Sequence, residues 1–117
     1  MANIPDTYPY PKLDHHIKNA WLSNLRSGRF DQATRCLCRL DGDEQSGETS
    51  SYCCLGVLGK TVGYENAALF SYDFLPDHFE HIPPSLRGYT TTAKKLAGMN
   101  DTCTPFGEIA DWIEKNL

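Results

Sequence analysis

The stretch Ser51-Tyr-Cys-Cys-Leu-Gly-Val-Leu58 constrains the possible folds of this chain more than any other. Leu55, Leu58 and Val62 are spaced for a short helix ending at Gly63, and Gly56 and Gly59 fall on one side of it. A glycine inside a helix costs about 1 kcal/mol relative to alanine. What a missing Cβ offers in exchange is room, so the spacing predicts another piece of backbone packed close against the glycine side. A second dense segment, Leu96 to Leu117, collects the other strongly patterned residues.

With 117 residues, the chain is expected to form one domain over 1–117, because a core of this size divided in two would leave two unstable halves. Hydrophobic residues at 40% and charged residues at 22% place it among ordinary globular sequences. The formal net charge of -4 argues against nonspecific nucleic-acid binding, which needs a basic footprint, and is too small for a duplex mimic. No apolar run approaches the roughly 18 residues of a membrane span, and the first residues have neither the basic nor the apolar part of an export signal. A cytoplasmic protein with no membrane partner is expected. The five cysteines, Cys36, Cys38, Cys53, Cys54 and Cys103, then read as reduced thiols rather than a disulfide framework.

The pattern predicts an α+β fold, mainly helical, with about four helices and a small antiparallel β element. After a Pro-rich arm over 1–12, Leu13, Ile17, Ala20, Trp21 and Leu25 mark a helix that begins near Asp14 and stops before Gly28. Between Phe30 and Leu40 helical and strand spacings compete. The polar loop over 41–50 that follows favours the strand, returning through Ser51–Cys54 as a hairpin near 33–54. Phe70, Tyr72 and Phe74 alternate with polar residues and predict a short strand near 70–75. Thr90 to Met99 reads as a helix with Ala93, Leu96 and Ala97 inward, stopped by Asn100-Asp101. Thr104 as N-cap and Pro105 at the first helical position open a terminal helix with Phe106, Ile109, Ala110, Ile113 and Leu117 buried.

Chemistry is harder to find in these residues. Cys53 or Cys54, placed where a chain enters a helix, would feel the positive end of the helix dipole and could act as a nucleophile, with His78 or His81 as base and Asp73 or Asp77 to orient it. The alternative is that both are small core residues. Cys36-x-Cys38 with Cys53-Cys54 has the wrong spacing for structural zinc, and His78-x-x-His81 is half a site, so no metal is expected. Phosphate-binding loops, dinucleotide fingerprints and nucleophile elbows are absent, and no cofactor is expected. Asn100 and Asp101, with Cys53 and Cys54, are candidates for lining a small-ligand pocket against the glycine-bearing helix; the competing reading of the Asn-Asp pair is a turn and helix cap. The acidic loop residues Asp41, Asp43, Glu44 and Glu48, with the aromatic residues Tyr72 and Phe74, are candidates for a partner-binding surface.

The order Trp21…Leu25-Arg-Ser-Gly28, Gln32, Tyr52-Cys-Cys-Leu-Gly-Val-Leu58, Leu75-Pro76, Leu96-Ala-x-Met-Asn-Asp101 and Phe106-x-x-Ile-Ala-Asp-Trp-Ile113 resembles a group of small bacteriophage and prophage proteins, largely of unassigned function. The likeness runs through most of the chain. Two departures are a longer loop between Leu40 and Tyr52 and Gly59 where a cysteine usually follows Val-Leu. The resemblance transfers no catalytic residue. It implies a phage accessory protein in the host bacterial cytoplasm that acts by binding, inhibiting or modulating a host protein or defence complex such as a CRISPR effector. Sequestration of a small signalling nucleotide is the alternative, and a cysteine-dependent enzyme a further one.

Overall fold

Asp14 opens the first helix. Its Oδ2 accepts hydrogen bonds from the backbone N–H groups of His16 (3.1 Å) and Ile17 (3.2 Å), two of the donors that a helix start leaves unpaired. The computed structural model describes residues 9–41, 49–70 and 72–117. Helix α1 covers His15–Arg26 and buries Trp21, Leu22 and Leu25. It ends before Gly28, whose φ of +76° lies in the left-handed region that glycine enters without strain.

Three short strands follow: β1 (Asp31–Gln32), β2 (Cys38–Asp41) and β3 (Thr49–Tyr52). β3 is central, with β2 antiparallel on one side in the register Cys38 to Tyr52 and Asp41 to Thr49. β1 runs parallel to β3 on the other, pairing Asp31 with Ser51 and Gln32 with Tyr52. The sheet is thus mixed, and the expected hairpin is confined to 38–52. The Ala33 N–H still donates to the Tyr52 carbonyl at 2.8 Å, but beyond it Arg35 adopts φ +65°, which turns the chain out of strand geometry until β2. The parallel strand was not expected from the sequence.

Helix α2 (Cys54–Thr61) emerges directly from β3 with Cys53 as its N-cap. Every residue from Cys54 to Gly59 is buried. Gly56 does what the spacing predicts, since a Cβ there would overlap the carbonyl oxygen of Leu37, whereas one on Gly59 would meet a side chain, standing 2.7 Å from Leu69 Cδ2. Backbone meets backbone at Gly56. A one-turn helix α3 (Asn66–Leu69) then supplies the buried Leu69.

No strand forms among the described residues near 70–75, which corrects the reading of the aromatic alternation. The Tyr72 N–H returns to the Leu69 carbonyl at 3.1 Å, closing the end of α3, while its carbonyl accepts one bond from Leu37 N–H at 3.0 Å. With α3 ending at one side and Pro76 at the other, no ladder is built. A 3₁₀ turn at Pro84–Leu86 leads to α4 (Thr91–Asp101), capped by Thr90 Oγ1 on Ala93 N–H at 3.2 Å. Asn100 and Asp101 are the last turn of this helix rather than the residues beyond it. The terminal helix α5 (Phe106–Asn116) is capped by Pro105, one residue later than Thr104 had suggested, and carries no side-chain cap. Its stripe of Phe106, Ile109, Ala110, Ile113 and Leu117 is buried, with Glu108, Asp111, Glu114 and Lys115 outside.

One cluster of buried side chains joins all five helices to the sheet. It also takes in Tyr10, from the Pro-rich arm, whose ring meets Trp112 edge-on at 4.9 Å. Among the described residues no helix is long and apolar enough to cross a membrane.

Candidate functional site

The two dense segments of the sequence meet where Cys54 is hydrogen-bonded to α4. Asn100, fully buried on α4, accepts from the Cys54 backbone N–H through Oδ1 at 3.1 Å, so the start of α2 is tied to the last turn of α4. The same oxygen accepts from Gln32 Nε2 at 3.1 Å, and Nδ2 donates to the Ala33 carbonyl at 2.6 Å. Cys54 is equally bound in: its carbonyl accepts from Trp21 Nε1 at 2.9 Å and its thiol donates to the Leu96 carbonyl at 3.6 Å. Asp101, next to Asn100 but exposed, accepts the Arg35 backbone N–H at 2.9 Å. That bond holds Arg35 in its left-handed conformation. Asn100 and Cys54 are therefore structural, and Asp101 anchors the loop leading from β1 to β2.

Above this junction lies a cleft of about 340 Å³ lined by Arg35, Cys36, Cys53, Asp73, Phe74, Ala97 and Asp101. Of the four residues expected around a pocket, Cys53 and Asp101 line it, while Cys54 and Asn100 lie behind the wall. Asp73 and Phe74 are shared with a larger cleft of about 600 Å³, formed where the 72–77 segment faces the turn around Arg87, Gly88 and Tyr89. The Gly88 N–H donates to the Leu75 carbonyl at 2.6 Å, and its φ of +67° makes the turn possible. This turn sets Tyr89 beside Phe74, with ring centroids 4.6 Å apart and planes inclined at 51°.

Tyr72 and Phe74, singled out as interface candidates, are both half-buried at this place. Tyr72 packs edge-on to His78 and Phe79, with centroids at 6.0 and 5.9 Å. Tyr89 was missed because it stands in no periodic pattern. It is 73% exposed, and with Phe70 it is one of two large hydrophobic side chains left open among the described residues. Asp41 closes β2 opposite Thr49, whereas Asp43, Glu44 and Glu48 lie outside the described residues.

The geometry is unfavourable to thiol nucleophiles. Cys53 sits at the start of α2, where the dipole and the Gly56 N–H (3.4 Å from Sγ) favour a thiolate, but burial outweighs both and pushes its pKa up to about 12. Burial likewise drives Cys54 well above the ordinary thiol range. His78 packs on Tyr72 and Phe79, and the backbone N–H of His81 donates to Tyr64 Oη at 3.2 Å. Among the described residues no group of three or more His, Cys, Asp or Glu side chains is placed to hold a metal ion. Comparison with protein-family models, curated proteins and solved structures gives no match.

Proposed function

We propose that this protein acts by binding a partner protein through the aromatic cleft of Tyr72, Phe74 and Tyr89. The observation that carries the reading is Tyr89: a large ring 73% exposed, leaning on Phe74 at the edge of the larger cleft. Aromatic rings are costly to leave in water and are enriched at interface centres, where tyrosine brings large contact area at little entropic cost. The sequence resemblance adds the kind of partner. On that basis we take it to be a bacterial host protein or defence complex, inhibited or modulated by a phage accessory protein in the host cytoplasm, with interference with a CRISPR effector as one concrete form.

The test is native mass spectrometry of the tagged protein recovered from bacterial lysate with active defence systems, for the unmodified chain and the Phe74→Ala/Tyr89→Ala double variant. A stoichiometric host protein bound to the first and absent from the second, both folded by circular dichroism, supports the reading. A partner retained by the double variant places the interface elsewhere.

A second reading is a small signalling nucleotide in the smaller cleft, favoured by Arg35 and Phe74 among its lining residues. Asp73 and Asp101 oppose it, since two carboxylates against one guanidinium disfavour a phosphate. A mass excess equal to a nucleotide in the same spectrum would reverse the order of the two.

A further inference from the structure

The aromatic cleft carries charge of one predominant sign. Asp73 and Asp77 both line it, both are exposed, and neither carboxylate has a hydrogen-bond or ion-pair partner among the described residues. Arg87 is the one cation in the lining, and its Nη1 is engaged by the Asp77 backbone carbonyl at 2.8 Å rather than by either carboxylate. Gly88 helps to place the acid: an ideal Cβ there would stand 3.3 Å from Asp77 Oδ1, so the carboxylate lies against the bare backbone one residue before Tyr89. Two carboxylates thus border the inclined Phe74 and Tyr89 rings.

An open aromatic face beside a carboxylate attracts a cation in two ways, through the ring quadrupole and through charge. A guanidinium suits both better than an ammonium, because it is flat enough to stack and its forked donors match a carboxylate. Resting on the binding reading above, we infer that this cleft receives an arginine side chain projecting from the partner protein, stacked on the Tyr89 and Phe74 rings and paired with Asp73 or Asp77. The net charge of -4 on the whole chain favours the approach of such a basic segment.

The probe is N-acetyl-arginine amide, titrated into the ¹⁵N-labelled protein at low salt and followed by amide chemical shifts, with N-acetyl-citrulline amide as a neutral molecule of nearly the same shape. The arginine compound is expected to move the Asp73, Phe74, Gly88 and Tyr89 resonances in a saturable way, and to bind about fivefold more weakly to Asp73→Asn/Asp77→Asn and to Tyr89→Ala. Added salt should weaken it further. Equal shifts from the citrulline compound, shifts centred elsewhere, or none would overturn the assignment. If a host protein is captured by the unmodified chain and lost from Tyr89→Ala while the arginine probe leaves these amides unmoved, the binding reading stands and the arginine falls. If a captured partner is retained by Tyr89→Ala, the binding reading falls and this inference with it.

Discussion

Asn100 is the residue on which the interior most depends. Its amide satisfies the Ala33 carbonyl and the Cys54 N–H, both in the buried region where β1, α2 and α4 converge. Replacing it by alanine strands two backbone groups away from water, and a loss of about 2–5 kcal/mol in unfolding free energy is expected from urea titration. The buried thiols supply a second expectation at this scale. An ordinary thiol titrates near 9, and burial raises Cys53 to about 12 and Cys54 in the same direction. Above pH 9 the unfolded chain loses these protons while the folded one keeps them. Their contribution to stability is therefore complete below pH 9 and is lost as pH rises toward 12, by up to about 1.4 kcal/mol per pH unit for each thiol. Urea midpoints at pH 8 and pH 10.5 should differ in that direction, and less so in Cys53→Ala. Alkylation near neutral pH should label the exposed Cys103 first and leave Cys53 and Cys54 unreacted until the protein unfolds.

Among the elements, α2 was the most legible, because two glycines in an apolar helix have few explanations other than close packing. The two are not equivalent. A Gly56→Ala substitution drives a methyl into the Leu37 carbonyl, which is backbone and cannot step aside, so a loss of about 3 kcal/mol or more is expected. Gly59→Ala meets the end of the Leu69 side chain, which can shift, and should cost about 1 kcal/mol. Thermal melts of the two variants would separate these cases. The helices α1, α4 and α5 were also readable from period and caps, with errors of a residue or two at their ends. The short strands were not. Two residues of β1 carry no period, and the alternation of Phe70, Tyr72 and Phe74 reads as a strand although the single backbone bond from the Leu37 N–H to the Tyr72 carbonyl does not extend into a ladder.

At the scale of the whole molecule, the start of α1 is tied to the end of α5. The Leu13 N–H donates to the Leu117 carbonyl at 2.9 Å, Lys12 Nζ to the Asn116 carbonyl at 2.9 Å and Lys18 Nζ to the Glu114 carbonyl at 3.0 Å. Leu117 is itself buried, so Leu117→Ala should cost about 2–4 kcal/mol in urea titration, far more than substitution of an exposed end residue. Arg26 bridges Asp111 and Glu114 across the same α1 and α5 contact, but all three groups meet water, and removing the guanidinium should matter little by comparison. The sequence alone determined what depends on neighbours along the chain: where the four longer helices run, which of their faces are apolar, where Gly56 must admit another backbone, and that the fold is α+β and mainly helical. Tertiary structure alone decided what depends on residues far apart. It joined Asn100 to Cys54, turned a helix-capping thiol from a candidate nucleophile into a buried group, and set Tyr89 beside Phe74 and two carboxylates. A side chain's burial, its pKa and its neighbours across a cleft are set by three-dimensional proximity, which local periodicity does not encode.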